Sequence, residues 1–277
     1  MLIMTGPAKP KNAAAEKSVK PAGSRYQTPA LAKGLDILEL LTLETKGLAP
    51  RSIAAKLGRS VNEIFRMLIC LEEREYISRE NDSDVFTLTL KLFELGLRNP
   101  PTKRLVEASA EALFELGQKV RQSCHVAIHS GGNVMVVAQQ NSPEPMFFTV
   151  SLGTLVPLQK AVSGVVLLAY QSPETRKHWL SQAKATRAEL AYLKKSWPTV
   201  LKDGFFTQES QTMLGVTELA FPVFGHTGSA VATVSVPISG TVSGKSAIED
   251  YLPATREAAL RISHQIGWHG EITANQS

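Results

Sequence analysis

The segment SCHVAIH, residues 123–129, places one cysteine and two histidines close together in the sequence. On a β-strand, Cys124 and His125 point to opposite faces and cannot share a ligand. His125 and His129 share a face, but they lie ~13 Å apart along it, too far to hold one metal ion between them. The segment therefore favours a structural or pocket-lining role over a metal site.

Ser163, in the segment AVSG, does not have the sequence context of a catalytic nucleophile. The G-x-S-x-G motif requires a glycine two residues before the serine, where this chain has Ala161. The sequence also has no Walker A motif, no G-x-G-x-x-G and no H-E-x-x-H. We therefore expect no catalytic residue, no metal ion and no cofactor, and we predict that the protein is not an enzyme.

The segment RSVNEIFRMLICLEEREYISREN, residues 59–81, predicts a helix that runs into a strand. Its apolar residues recur at the spacing of one buried helical stripe, at Ile64, Leu68 and Leu71. Ser60 and Glu63 fit a capping box, in which each side chain accepts from the other residue's backbone N–H. The Glu63 carboxylate also suits the positive end of the helix dipole. The alternative role for Glu63 is to accept from the amino group of a cytosine.

The predicted outer face of this helix has side chains that suit DNA. It comprises Val61, Asn62, Phe65, Arg66 and Ile69. Asparagine suits adenine, arginine suits guanine or a phosphate, and Phe65 can touch the methyl group of thymine. The alternative is that Phe65 and Ile69 pack beneath a neighbouring hairpin or in a protein interface.

Residues 29–97 predict a winged helix-turn-helix domain. The predicted first helix carries leucines at three- and four-residue steps, at Leu31, Leu35, Leu38 and Leu41. A short helix over residues 51–57, the helix that opens at Ser60, and a hairpin with a polar turn at Asn81–Asp84 complete the pattern. The predicted DNA-contacting residues are Arg51, Ser52, Arg59, Asn62, Phe65 and Arg66.

The positive charge of the chain is unevenly distributed. The 277 residues carry a formal net charge of +5, with a sequence pI of about 9.2. Residues 46–66 hold five cations and one carboxylate. Residues 1–28 form a second basic segment with almost no apolar periodicity, which predicts a disordered tail. These basic segments are consistent with double-stranded DNA as a partner.

The cysteines and the apolar runs indicate the compartment. Cys70 and Cys124 both fall in apolar-patterned segments, which predicts buried free thiols in a reducing environment. No apolar run approaches the ~20 residues that a membrane span needs. The opening MLIMTG is too short for a signal peptide. We therefore predict a cytoplasmic protein with no membrane partner.

The remainder of the chain predicts a linker helix and an α+β domain. Residues 98–121 are predicted to form the linker helix, and residues 122–270 the second domain. Strands are expected in SCHVAIHSGGNVMVVAQQ, MFFTV, GFFTQES, TELAFPVFG and SAVATVSVPI. Helices are expected in KAVSGVVLLAY, SPETRKHWL, ELAYLKKSWPTVLKDG (one or two) and Ile248–Trp268. Helices on an antiparallel sheet make an α+β sensor-like domain.

From about Ala30 to Trp268 the chain resembles the IclR-type bacterial transcriptional regulators. The resemblance is carried by LAKGLDILELL, LAPRSIAAKLGRSVNEIFRMLICLEEREYISR, FTLTLKLFELG, SLGTLVPLQKAVSGVVLLA and KDGFFTQESQTMLGVTELAFPVFGHTGSAVATVSVPIS, in this order. It implies a winged helix-turn-helix joined to a GAF-like sensor domain that binds a small organic acid. It also implies a homodimer, or a tetramer, on operator DNA.

The same resemblance implies where the effector binds. It assigns the pocket to the backbone of Gly153 and Thr154 and to the side chains of Glu209, Glu218 and Ser235. The chain departs from the usual pattern at Asn62-Glu63 and Phe65-Arg66 in the recognition helix. It also departs at Gln159, Glu218 and Pro237 in the second domain.

Two functions of different classes fit the sequence. The first is a DNA-binding transcriptional regulator modulated by a small-molecule effector. The alternative is a small-molecule-binding or enzymatic module whose helical N-terminal domain mediates protein contacts. The basic segment 46–66 and the outward Asn62 and Arg66 favour the regulator.

Overall fold

The computed structural model describes residues 28–80, 84–98, 100–211, 213–239 and 248–270. The predicted disordered tail, apart from Thr28, therefore lies outside the described residues. The chain divides into two compact units, residues 1–94 and 95–277. None of the described helices combines the length and apolarity that crossing a membrane requires.

The first unit has the predicted order of three helices and a hairpin. Its elements are α1 (Pro29–Leu41), α2 (Pro50–Leu57), α3 (Val61–Glu73), β1 (Ile77–Arg79) and β2 (Phe86–Leu88). The antiparallel pair β1–β2 places Ile77 opposite Leu88 and Arg79 opposite Phe86. Of the predicted hairpin turn, residues 81–83 lie outside the described part. The winged helix-turn-helix prediction is confirmed.

The core of this unit joins one face of each element. Its fully buried side chains are Ile37, Ile53, Ile64, Leu68, Ile77 and Phe86. Gly58, at φ 62°, provides the left-handed residue that ends α2 and lets α3 begin three residues later in a new direction.

Leu31 and Leu35 of the predicted first helix are 61% and 49% exposed, because only the C-terminal half of α1 contributes to the core. One sequence-based expectation for this unit is wrong. Cys70 is exposed rather than buried, since it lies on the side of α3 opposite the buried Ile64 and Leu68. A further helix, α4 (Lys91–Arg98), follows the wing.

The second unit is a six-stranded antiparallel sheet with helices on both faces. Its helices are α5 (Pro100–Val120), α6 (Val162–Ala169), α7 (Pro173–Gln182), α8 (Arg187–Asp203) and α9 (Leu252–Gln265). Its strands are β3 (Cys124–Ser130), β4 (Asn133–Gln140), β5 (Leu155–Pro157), β6 (Phe206–Glu209), β7 (Val216–Phe224) and β8 (Ala230–Ser239). The strand order is β5-β4-β3-β8-β7-β6, and a short 3-10 helix at Ile248–Asp250 precedes α9.

Each face of the sheet builds its own core. Cys124 and Val126 of β3 pack with α5 and α9 on one face, whereas Ala127 packs with α6 and α8 on the other. Cys124 is a buried free thiol, as predicted, and burial raises the pKa of this thiol to about 12, which keeps it protonated near pH 7. Helix α5, which covers most of the predicted linker, packs onto this sheet through Leu113 and Leu116.

The structure corrects the expected strand in MFFTV and refines two helices. No strand forms in residues 141–154, and β5 is confined to Leu155–Pro157, where it pairs with β4. The segment ELAYLKKSWPTVLKDG belongs to one helix, α8, although Pro198 lies inside it. The final helix begins at Leu252 rather than at Ile248.

Candidate DNA-binding surface and effector cavity

The predicted capping box at the start of α3 is present. The Glu63 backbone N–H donates to Ser60 Oγ at 3.3 Å, and the Ser60 N–H donates to Glu63 Oε2 at 3.0 Å. Lys33 Nζ of α1 donates to the other carboxylate oxygen, Oε1, at 3.1 Å. The backbone hydrogen bond from Ser60 and then the bond from Lys33 lower the pKa of Glu63 to about 2. Both carboxylate oxygens are therefore engaged within the unit, which supports the capping role over cytosine reading.

The outer face of α3 carries the expected side chains. Asn62, Phe65 and Arg66 are exposed, while Ile64 and Leu68, on the opposite side of the helix, are fully buried. The capping box fixes where the helix starts, and the two buried residues fix its rotation. Asn62 and Arg66, four residues apart, therefore project on one side of α3.

The predicted DNA-contacting arginines do not have equivalent surroundings. Arg59 Nη2 donates to Asp36 Oδ2 of α1 at 2.9 Å, so this guanidinium is held in an ion pair inside the unit. Arg51 and Ser52 are exposed in the first turn of α2. Within the described part of the chain, no carboxylate forms an ion pair with Arg51 or Arg66. These two cations remain available for phosphates or bases.

The second unit contains a cavity of about 410 Å³ on the sheet face covered by α6. Strands β3, β4, β7 and β8, the segment 148–154 and the start of α6 form its walls. Most of the lining is apolar, with valines from four elements and Phe148. Such a lining, interrupted by a few polar groups, is typical of a small-molecule site.

Three of the five predicted effector residues line this cavity: Thr154, Glu218 and Ser235. Gly153 and Glu209 do not. Gln208 of β6 lies directly opposite Glu218 of β7, so these two side chains share a face of the sheet. Glu209 follows Gln208 in β6. Because successive residues alternate in direction, Glu209 points to the other face of the sheet from Glu218.

The backbone role assigned to the Gly153 loop is corrected. The Gly153 N–H donates to Val136 O at 2.9 Å, and the Thr154 N–H donates to Ser151 O at 3.1 Å. Both amides hold the loop against β4 and against itself, so neither is free to donate to a ligand. The bond from Gly153 depends on the approach of β4, 17 residues earlier in the chain, which the local sequence does not reveal.

The predicted effector residues did not include His125, which lines the cavity. His125 of β3 lies directly opposite Ser235 of β8 in the sheet, and both line the cavity. Burial lowers the pKa of His125 to about 4, so its imidazole is neutral near pH 7. The His125 position was recognised as pocket-facing or structural, but its pairing with Ser235 joins residues 110 positions apart and has no local signal.

The acceptor side of the cavity centres on Glu218. Ser210 Oγ donates to Glu218 Oε1 at 2.6 Å. The Ser235 hydroxyl is buried and has no hydrogen-bond partner among the described residues. A buried hydroxyl without a partner is costly, and a ligand that hydrogen-bonds to it recovers that cost.

The cavity also contains groups that favour an anion. Helix α6 begins at Val162 after Ala161, whose side chain cannot cap it, and Ser163 lies in its first turn. Ala161, Val162 and Ser163 all line the cavity, as does Lys160. The start of a helix carries a partial positive charge and unsatisfied N–H groups. The same cavity therefore presents a carboxylate and a site suited to a negative charge.

Comparisons with known proteins cover both units. Residues 30–81 match the IclR helix-turn-helix domain, and residues 102–264 match the bacterial transcriptional regulator IclR C-terminal domain. The chain is 24% identical over 232 residues to the HTH-type transcriptional regulator KdgR of Dickeya chrysanthemi, spanning 82% of this chain and 76% of that protein. It is 21% identical over 269 residues to the DNA-binding transcriptional repressor YiaJ of Escherichia coli, spanning 94% of each.

A solved structure shows the same fold. It is an IclR homolog from Microbacterium hydrocarbonoxydans, complexed with 4-hydroxybenzoate, which superposes with a TM-score of 0.72 at 20% identity. The match covers 86% of this chain and 98% of that one. The two family matches together span most of the chain and include both units. The protein belongs to the IclR family of bacterial transcriptional regulators and not to a family of enzymes.

Proposed function

We propose that the second-unit cavity binds a small organic acid and that this ligand controls binding of the first unit to operator DNA. The observation that carries the proposal is the cavity lining. It combines the carboxylate of Glu218, the unpartnered hydroxyl of Ser235 and the start of α6 in about 410 Å³. A cavity with convergent polar groups in an apolar lining is the expected form of a ligand site.

The ligand that fits this chemistry is a hydroxylated organic acid. Its carboxylate would accept from the first-turn amides of α6, assisted by Lys160. Its hydroxyl would donate to Glu218 and accept from Ser235. A dicarboxylate fits less well, because a second negative charge would meet Glu218. The 4-hydroxybenzoate of the Microbacterium relative is an acid with a hydroxyl, the same combination of groups.

The DNA-binding surface in this proposal is the exposed side of α2 and α3. Its residues are Arg51, Ser52, Asn62, Phe65 and Arg66. Arg59, with its ion pair to Asp36, takes a structural role instead. The name of the YiaJ relative supports a repressor. Regulation of transcription on the bacterial chromosome implies the cytoplasm.

The assembly is proposed to be a homodimer, which can pair into a tetramer. Helix α4 supports this proposal, because Leu92, Phe93 and Leu95 are exposed there without a described partner for their apolar surface. Exposed apolar side chains clustered on one short helix mark a protein interface.

A thermal-shift screen with two related acids tests the effector proposal. Each hydroxylated acid, such as 4-hydroxybenzoate, is compared with the analogue that lacks the hydroxyl, such as benzoate. We expect stabilisation of the wild type by the hydroxylated member of a pair, and loss of that stabilisation in Ser235→Ala and in Glu218→Gln. Glu209→Gln, which alters a carboxylate on the opposite face of the sheet, is the matched control and keeps the response. Ligands that stabilise all three variants equally would place the site elsewhere.

A further inference from the structure

The exposed side of α3 carries an apolar stripe that the fold does not need. Val61 is 36% exposed and Phe65, one turn later, is 49% exposed. The core of the unit is supplied by Ile64 and Leu68, which are fully buried, whereas Val61 and Phe65 keep part of their surface exposed in the first two turns of the helix. Val61 and Phe65 are therefore free to contact something outside the unit.

The charged residues nearest this stripe are already engaged. Glu63 is held by Ser60 and Lys33, and Arg59 is held by Asp36. In the first two turns of α3, the side chains that remain available for contacts outside the unit are Asn62, Phe65 and Arg66. Val61 lies beside Phe65. Recognition by this surface therefore depends more on hydrogen bonding and apolar contact than its formal charge suggests.

These side chains match the edge of an adenine·thymine pair. The C5-methyl of thymine is the apolar feature that a base edge presents in the major groove, and asparagine pairs with N6 and N7 of adenine. Asn62 and Phe65 are three residues apart, so they are neighbours on the helix surface. We propose that the Val61–Phe65 stripe reads a thymine methyl next to an adenine held by Asn62. This inference rests on the proposed DNA-reading role of α3.

A second copy of the chain is the competing occupant of the stripe. The polar neighbours favour DNA. Asn62 and Arg66 flank Phe65 on the same exposed side, and Arg66 has no described ion-pair partner. A base edge and a phosphate satisfy both groups, whereas an apolar interface would leave them unpaired.

Replacement of thymine by uracil tests the methyl contact, because uracil keeps every hydrogen bond and lacks only the methyl group. The full-length protein first selects duplexes from a random-sequence library. An enriched duplex is then resynthesised with uracil at one thymine at a time. At the contacted position we expect the wild type to bind about four-fold more weakly, the equivalent of one buried methyl group at about 0.8 kcal/mol.

Variants identify the side chain that makes the contact. Phe65→Ala is expected to bind the thymine and uracil duplexes equally. Phe114→Ala removes a phenylalanine of similar exposure, 54%, from α5 of the second unit. It is expected to keep the four-fold difference.

Three results would contradict the inference, and they are distinguishable. A selection that enriches no sequence would overturn the DNA-reading role of α3 itself. An enriched duplex that tolerates uracil at every position would leave that role intact and remove the methyl contact. A change of molecular mass in light scattering for Phe65→Ala, with an unchanged uracil effect, would assign the stripe to contact between copies of the chain.

Discussion

Arg59 and Arg66 carry the same charge seven residues apart, and their surroundings give them different roles. Arg66 projects from the exposed side of α3, so Arg66→Ala should weaken specific operator binding by about 1–3 kcal/mol. Arg59 is paired with Asp36, so Arg59→Ala should lower stability by up to about 1 kcal/mol with a smaller effect on DNA binding. Gel-shift titrations at one fixed salt concentration measure the DNA affinity of each variant, and melting curves measure its stability. Equal losses of DNA affinity would show that the ion pair does not withdraw Arg59 from DNA.

His125 makes the stability of the second unit depend on pH. Burial lowers its folded-state pKa from the ordinary 6.5 to about 4. Between these values the unfolded chain binds more protons than the folded one. The stability that the folded state gains from keeping His125 neutral is thus complete above pH 6.5 and is lost as the pH falls towards 4.

His125→Gln should therefore flatten the change in urea midpoint between pH 7 and pH 5. His226→Gln, which replaces an exposed imidazole after β7, is the control and should keep the wild-type dependence. A His125→Gln variant whose midpoint still falls as steeply as that of the wild type would argue against this account.

At this scale, sequence reasoning succeeded where the chemistry is local. The Ser60–Glu63 capping box depends on a three-residue spacing and is present as predicted. The shared face of His125 and His129 follows from strand alternation. The exclusion of Glu209 from the cavity and the engaged Gly153 amide depend instead on how β6 pairs with β7 and how the loop meets β4. Neither pairing is encoded by neighbouring residues.

Helix α3 owes its start to the capping box, which can be removed at Ser60. Ser60→Ala leaves the first-turn amide of Glu63 without its acceptor and removes the hydrogen bond from the Ser60 hydroxyl to the Glu63 carboxylate, while the backbone N–H of residue 60 and Lys33 still hold that carboxylate. We expect a loss of about 0.5–2 kcal/mol in the free energy of unfolding. Base preference in a duplex competition should be unchanged, because the backbone N–H of residue 60 and Lys33 continue to hold the Glu63 carboxylate within the unit. A shifted base preference with an unchanged melting temperature would restore the cytosine-reading alternative for Glu63.

The Glu63 carboxylate adds a pH dependence of its own. Its folded-state pKa is lowered from 4.5 to about 2. The contribution of this carboxylate to the free energy of unfolding is therefore complete above pH 4.5 and declines as the pH falls towards 2. The difference in stability between the wild type and Glu63→Gln should therefore narrow from pH 6 to pH 3. A difference that stays constant over this range would contradict the assigned hydrogen bonds.

Helix α6 is held so close to the chain before it that one position tolerates only glycine. A Cβ atom on Gly164 would lie 1.9 Å from the carbonyl oxygen of Leu158, a backbone atom that cannot rotate away. Gly164→Ala should destabilise the second unit by about 1–3 kcal/mol and displace the start of α6 from the cavity. Calorimetry measures the first effect and ligand-induced thermal shift the second.

Gly34→Ala is the matched change in open space. No atom lies within 4 Å of the added Cβ in α1, so it should stabilise its helix by about 0.5–1 kcal/mol. If both substitutions were stabilising, the close approach of α6 to Leu158 would be wrong.

Among the elements, boundaries marked by capping or turn residues were predictable and those set by partners were not. The helices that begin at Ser60 and at Ser172-Pro173 were located from those residues. MFFTV has a strand-like composition but forms no strand, because only Leu155–Pro157 pairs with β4 at that edge. The four leucines of α1 fit one helical stripe, yet only the C-terminal half of that helix has neighbours to pack against.

For the whole molecule, the order of the segments was informative beyond any single motif. A winged helix-turn-helix followed by an antiparallel sensor domain was predictable from hydrophobic periodicity and turn residues. The family matches at residues 30–81 and 102–264 confirm that order. Function at this scale requires that a ligand in one unit changes DNA binding by the other.

The most direct test of this account is a reciprocal pair of titrations with the full-length protein. A fluorescent duplex from the selection is titrated with and without a saturating hydroxylated acid from the thermal-shift screen, and the acid is then titrated with and without the duplex. We predict one shared coupling factor on the order of 5–150-fold in both directions. The factor should be lost in Ser235→Ala and retained in Glu209→Gln. An acid that binds the cavity and leaves DNA affinity unchanged, or a coupling that survives Ser235→Ala, would contradict control of the operator through this cavity.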